Sequence, residues 1–103
     1  MKREHRYYER HRMPENSLLP CEGVDRPLNG HVSILGLGGM FVRTHESYPV
    51  GTTLDVRIHA PEEVIEAQCV VRDVLPGGLG FEFTRLRGKH EDAVRKILQG
   101  LKN

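Results

Sequence analysis

The sequence has 103 residues and a mass of 11.7 kDa, which is the size of one small domain. Its 38% hydrophobic and 28% charged residues are ordinary for a soluble domain, and no apolar run approaches the ~20 residues of a membrane span. Cys21 and Cys69 are too few for a disulfide scaffold or, by themselves, a four-ligand zinc site. We therefore expect a cytoplasmic protein without a membrane span, and we exclude a secreted mini-protein, a channel and most large-fold enzymes.

The positive charge of the chain is concentrated at its beginning. The formal net charge is +1, but residues 1–12 carry +3 and the remaining residues sum to −2. We therefore expect residues 1–15 to be a basic, flexible leader and residues 16–103 to be the folded domain. The leader is either a solvated terminus or an arm that becomes ordered on an anionic ligand, and charge alone favours the solvated terminus.

Short strand patterns recur along the rest of the chain. Pro20 suits an edge strand, and two apolar runs that flank the glycines of residues 36–39 indicate a hairpin or a bulged corner. Further on, apolar and polar residues alternate between turns at residues 49–51, 61 and 76–78. The predicted strands are residues 17–21, 30–35, 40–44, 53–59, 65–72 and 79–84.

The apolar period changes near the C-terminus. Val94, Ile97, Leu98 and Leu101 are spaced as one stripe of a helix, with acidic residues near its start and lysines later. No gap between strands is long enough for a helical crossover, so parallel βαβ units are not expected. About six short strands and one helix predict an all-β fold, in which a closed or nearly closed antiparallel barrel protects the strand edges.

Few residues carry the chemistry of a catalytic site. Both cysteines fall in strand patterns and are predicted to be buried and structural. The histidines lack a metal-binding spacing, and the glycines of residues 36–39 are not followed by the Lys-Ser/Thr of a phosphate loop. We therefore assign no catalytic residue, metal or cofactor and do not expect an enzyme.

The arginines of the leader are the remaining candidates for ligand binding. Arg6 and Arg10 are four residues apart and Arg12 is close by, so guanidinium groups can bind phosphate or stack on flat bases. A basic arm beside a small barrel also occurs in proteins that bind single-stranded nucleic acid. Because the rest of the chain is net acidic and its strands are poor in aromatic residues, we expect no DNA or RNA partner.

The order of these elements resembles the PilZ domain, a bacterial receptor or adaptor module for cyclic diguanylate (cyclic-di-GMP). The resemblance covers nearly the whole chain: the arginine-rich leader, GHV at 30–32, GGMFV at 38–42, PVGT at 49–52 and GFEF at 80–83. It implies a six-stranded antiparallel PilZ-type β-barrel with a C-terminal α-helix. It also implies a cytoplasmic role in second-messenger signalling, such as the control of motility or biofilm formation.

The resemblance further implies two ligand-binding motifs. In the first, an RxxxR in the leader, the arginines meet the phosphates and stack on guanine. Arg6 and Arg10 match it by spacing, although Arg12 is an alternative for its second arginine and would put Tyr8 at the partner position. In the second, D/N-x-S-x-x-G, the first side chain accepts hydrogen bonds from the guanine edge, the serine adds a hydrogen bond, and the glycine permits close approach.

The second motif fits this sequence in two registers. One register ends at Gly39 and places Ile34 and Gly36 at the acidic and serine positions. The other ends at Gly36, keeps Ser33 and places His31 at the acidic position. It would also turn Val32 and Ile34 inward by strand alternation and leave a bulge before Gly39. We favour the first register, which fits the run into the next strand better.

Both registers lack the Asp or Asn, which predicts weakened ligand binding. Unpaired guanine donors cost ~1–3 kcal/mol, or about a five- to hundred-fold loss of affinity. Two hypotheses remain: a cyclic-di-GMP receptor of reduced affinity, or an adaptor that no longer binds the nucleotide. Under both hypotheses, we expect a downstream protein partner and a protein that is a monomer or a homodimer. The candidate ligand-binding residues are Arg6, Arg10, Arg12, Ser33, Gly36 and Gly39.

Overall fold

The computed structural model of the protein describes residues 9–102, although not the side chain of Lys102. Every strand pairing within that range is antiparallel. The strands run in the order β3-β2-β5-β6-β7-β4, and β4 pairs back onto β3, so that six strands close a barrel and β1 adds to β3. The elements are β1 (Arg10–Arg12), β2 (Leu19–Gly23), β3 (Asn29–Gly36), β4 (Gly39–Thr44), β5 (Thr53–His59), β6 (Val64–Leu75), β7 (Gly78–Arg85) and α1 (Lys89–Lys102). The predicted all-β barrel with a C-terminal helix is confirmed.

One edge of β3 is shared by two strands. Its first half pairs with β2, where Leu19 lies opposite Val32. Its second half pairs with β1, where Arg12 lies opposite Ile34 and Arg10 opposite Gly36. The other edge of β3 pairs with β4. Because β2 leaves the second half of β3 uncovered, the backbone groups there are free to pair with a short polar segment, which forms β1.

A β-bulge at Ser33 separates the two halves of β3. Val32 lies opposite Val42 and Ile34 opposite Phe41, so Ser33 is one residue too many for β4. The extra residue shifts the alternation: Val32 and Leu35 are fully buried, whereas Ile34 is half-buried. Of the two residues that the second register turns inward, Val32 is buried as expected, whereas the expectation for Ile34 is wrong. The bulge lies at Ser33 and not before Gly39.

Residues 10–15, which sequence analysis placed in the flexible leader, are packed against the barrel. Met13 is only 4% exposed and belongs to the core, and its N–H donates to the Ser33 carbonyl at 2.8 Å. Arg43 on β4 donates two hydrogen bonds, of 3.0 and 2.7 Å, to the Glu15 carboxylate. These bonds and the positive charge of Arg43 lower the pKa of Glu15. An apolar anchor and an ion pair thus hold a segment whose composition alone suggests disorder. Arg6 lies outside the described residues.

The helix packs across the barrel. Ala93, Val94 and Leu98 are buried in the same core as the inward-facing strand residues. α1 contacts β6 and β3, which are opposite each other in the strand order, so it covers one end of the barrel. His90, in the first turn, accepts a hydrogen bond from the Glu66 N–H on β6 through Nδ1 at 3.0 Å. Within residues 9–102, no helix has the length and apolar character needed to cross a membrane.

The helix is expected to contribute directly to the stability of the barrel. Leu98→Ala removes a buried side chain and leaves a cavity, which should lower the free energy of unfolding by about 2–5 kcal/mol. The exposed neighbour provides the control: Gln99→Ala should change it by less than about 0.5 kcal/mol. Urea titration monitored by circular dichroism measures both. If Leu98→Ala and the native chain unfolded at the same urea concentration, this would contradict a core shared by α1 and the barrel.

Candidate functional site

A cleft of about 300 Å³ opens where the start of β4 meets β6 and β7. Gly39 on β4 pairs with Glu82 on β7, and Gly80 on β7 pairs with Asp73 on β6, so backbone pairing fixes the floor of the cleft. Arg10 on β1 reaches the same cleft. Two of the residues predicted from sequence, Arg10 and Gly39, are thus brought together. The lining residues are Arg10, Gly38, Gly39, Arg72, Asp73, Gly80, Phe81 and Glu82.

The arginines of β1 present exposed cations beside the barrel, and the charge of Arg12 helps Arg43 to lower the pKa of Glu15. Arg10 and Arg12 are two residues apart on a strand and both are exposed, whereas His11 between them is half-buried. Neither guanidinium forms an ion pair or a hydrogen bond with another residue in the part of the chain that the structure describes. Both therefore keep their hydrogen-bond donors available for an anion, and Arg10 does so with no described carboxylate acting on its charge.

Two glycines at this site have no room for a side chain. A Cβ atom at Gly39 would lie 2.2 Å from the Phe81 carbonyl oxygen. A Cβ atom at Gly36 would lie 2.5 Å from the Glu9 carbonyl oxygen and 3.3 Å from Cγ of Arg10. Because Gly36 has no side chain, β1 can approach β3, and the Glu9 carbonyl lies in the space that a side chain at position 36 would need.

The other candidates from the second motif lie away from the cleft lining. Ser33 is 3% exposed and forms the bulge, where its carbonyl holds Met13. His31 is exposed and lines a separate groove. Ile34 is half-buried opposite Arg12 and carries no polar atom in its side chain. The residues that fill the acidic position in the two registers, Ile34 and His31, are therefore not part of the described lining of the cleft.

Sequence analysis missed the polar residues that β6 and β7 add to the cleft. A second bulge, between Val71 and Asp73, makes Arg72 an extra residue, so that Arg72 and Asp73 are both exposed although they are consecutive. Nε of Arg72 donates to the Glu82 carboxylate at 2.7 Å. The cleft thus combines two cations with two carboxylates. Strand alternation does not predict this set, because it places Arg72 and Asp73 on opposite faces, whereas both belong to an exposed run that continues through Leu75.

The predicted burial of both cysteines is confirmed. Cys21 is 2% exposed and Cys69 is fully buried. Burial raises the pKa of the Cys21 thiol to about 12 and also raises that of Cys69. Both thiols are therefore protonated at neutral pH and are poor nucleophiles. Among residues 9–102, no three His, Cys, Asp or Glu side chains are arranged to hold a metal ion.

A larger groove, of about 580 Å³, lies over β2, β3 and β4 and includes His31, His45 and His59. Much of its charge is already paired. His59 Nε2 is 2.7 Å from the Glu22 carboxylate, and Arg43 is held by the carboxylate that follows β1. Its cationic side chains are thus less available to an anion than those of β1.

Introducing a serine at position 36 should release β1 from the barrel. In Gly36→Ser the new Cβ must displace the Glu9 carbonyl, so the amides of Arg12 and Met13 should exchange faster with solvent. Amide hydrogen exchange followed by NMR measures this, with the β5–β6 amides as internal reference. Gly100→Ser, at an exposed position with open space around it, is the matched control. Unchanged protection at Arg12 and Met13 would contradict the close packing described above.

The PilZ domain family model matches residues 4–100. No curated protein matches the chain in sequence. Among solved structures, the fold is similar to the PilZ domain with c-di-GMP of YcgR from Escherichia coli, with a TM-score of 0.76 and 16% identity over 99% of this chain and 92% of that one.

Two other solved structures share the fold. The Bacillus subtilis inhibitor of motility MotI/DgrA has a TM-score of 0.77 and 20% identity, over 100% of this chain and 53% of that one. The PilZ domain of CeSA from a cellulose-synthesizing bacterium has a TM-score of 0.65 and 20% identity, over 90% of this chain and 99% of that one. The family match spans nearly the whole barrel and its helix, and the chain belongs to the PilZ domain family.

Proposed function

We propose that the protein is a signalling module that binds cyclic-di-GMP in the cleft beside β1 and transmits binding to a protein partner. The observation that carries the proposal is the unpaired guanidinium of Arg10 beside the backbone of Gly39, with Arg72 as a second cation in the same cleft. Cyclic-di-GMP has two phosphates and two flat bases, which are the groups that guanidinium forks bind and stack on. The PilZ domain of YcgR, which has the same fold, is described with c-di-GMP.

Each candidate residue has a distinct role in this proposal. Arg10, with Arg12 and with Arg6 outside the described residues, supplies donors to the phosphates. Gly39 lets β4 pair closely with β7 at the floor of the cleft, because a side chain there would meet the Phe81 carbonyl. Ser33 and Gly36 act indirectly, because the Ser33 carbonyl and the missing Gly36 side chain hold β1 on β3.

Binding is coupled to the position of β1. The strand has only three residues, and its attachment depends on Met13, on the Ser33 carbonyl and on the ion pair of Glu15 with Arg43. A ligand that binds Arg10 stabilises the state in which β1 is paired with β3, relative to any state in which β1 is detached. Binding therefore changes the surface that is available to a protein partner. We include here a cytoplasmic role in bacterial motility or biofilm control. The inhibitor-of-motility neighbour is consistent with this role.

A second candidate function is a PilZ adaptor that binds no nucleotide. It is favoured by one observation, which is that neither register of the second motif places a side-chain acceptor in the cleft. The first offers Ile34 and Gly36, and the second offers His31, which lines a separate groove, and Ser33, which is buried. Loss of that acceptor costs ~1–3 kcal/mol of binding free energy, which weakens a receptor without abolishing the arginine contacts. The two functions differ in one measurable quantity, the affinity of the native chain for cyclic-di-GMP.

Calorimetric titration with cyclic-di-GMP at near-physiological salt tests the proposal. We expect saturable binding by the native chain and a loss of about 10- to 100-fold in Arg10→Ala, because a charge-assisted hydrogen bond is removed. Lys96→Ala removes an exposed positive charge on α1, far along the chain from the cleft, and should bind like the native chain. No binding by the native chain would favour the adaptor. If Arg10→Ala bound with the same affinity as the native chain, β1 would not be part of the binding site.

A further inference from the structure

We propose that Asp73 provides the guanine-edge acceptor that the second motif lacks, so that a carboxylate from β6 makes the cleft selective for guanine. This inference rests on the proposed function, because it concerns how the same cleft recognises its nucleotide. It assigns a specificity-determining role to a residue outside both family motifs.

Guanine requires a particular kind of partner. Its N1–H and exocyclic amino group are two donors side by side on one edge of the base. An ionised carboxylate only accepts hydrogen bonds, and its two oxygens match that pair of donors in the same plane. The motif position occupied by Ile34 offers nothing of this kind, so a guanine bound here needs an acceptor from another strand.

Asp73 is the available carboxylate in the cleft. The bulge of β6 exposes its side chain, and it forms no hydrogen bond or ion pair with any other residue of the described chain. Glu82, the other carboxylate of the lining, is already bonded to Arg72 at 2.7 Å. A guanine edge therefore finds a free acceptor at Asp73 and an occupied one at Glu82.

The backbone opposite Asp73 is shaped to keep this carboxylate in place. Asp73 pairs with Gly80 on β7, and a Cβ atom at Gly80 would lie 3.2 Å from Oδ2 of Asp73 and 3.1 Å from its Cβ. The absence of a side chain at Gly80 thus lets the carboxylate lie over β7 and face the cleft. A larger residue at position 80 would push it away.

The charged groups of the cleft have separate roles, because the arginines bind the phosphates and the carboxylate of Asp73 recognises the base. Arg10 and Arg72 supply positive charge next to Asp73, which offsets repulsion between the carboxylate and the ligand phosphates. Adenine presents a lone pair at N1 where guanine presents N1–H, so the carboxylate of Asp73 would repel it. Hypoxanthine keeps N1–H but lacks the amino group, and so it can satisfy only one of the two carboxylate oxygens.

Titrations with three cyclic dinucleotides test the inference. The native chain should bind the diguanylate more tightly than the diinosinate, and bind the diadenylate least. Asp73→Ala should lose about 10- to 100-fold in affinity for the diguanylate and should no longer distinguish it from the diinosinate. Asp73→Asn keeps one acceptor oxygen, as the Asp or Asn of the second motif does, and should bind the diguanylate with an affinity between those of the native chain and Asp73→Ala. Glu62→Ala, an exposed carboxylate between β5 and β6, is the control and should keep the native order.

The outcomes separate this inference from the function on which it rests. Native binding that Arg10→Ala weakens, with no change of affinity or base preference in either Asp73 variant, would overturn the role of Asp73 and leave the receptor in place. No binding of any dinucleotide by the folded native chain would overturn both. Circular dichroism of each variant shows that the comparison is between folded proteins.

Discussion

The edge of β3 must accommodate two strands, and the position of the candidate site depends on this constraint. β2 occupies the first half of that edge and β1 the second. The bulge at Ser33 lies between the halves and turns its carbonyl toward Met13, whose side chain enters the core. Since three polar residues have little tendency to form a strand by themselves, β1 exists through this anchoring. The arginines on its exposed face are thereby fixed beside the barrel.

The close packing of β1 on β3 depends on the absence of a side chain at position 36. A serine at position 36 would need the space that the Glu9 carbonyl occupies, so the arm lies close to β3 only because Gly36 has no side chain. A bulge in β6 lies at another part of the cleft, where Arg72 and Asp73 are exposed together. Two local irregularities of the sheet thus determine where cations and acceptors are found.

The regular part of the fold could be predicted from sequence, and the site only in part. Alternation of apolar residues placed the strands from β2 to β7, and helical spacing placed α1. β1 was missed because RHR has no apolar pattern and pairs only in the presence of β3. The inward turn predicted for Ile34 was wrong because a bulge adds a residue that a period of two does not anticipate. Asp73 could not be singled out because its exposure follows from another bulge.

The central claim is that the cleft between β1, β4, β6 and β7 is the nucleotide site of this PilZ domain, and an NMR titration of the native chain tests it most directly. When cyclic-di-GMP is added, we expect small changes of amide chemical shift around His59 in the larger groove. The largest changes should occur at Gly38, Gly39, Arg72 and Gly80. Shifts concentrated around His59, or a spectrum unchanged at high ligand concentration, would contradict it.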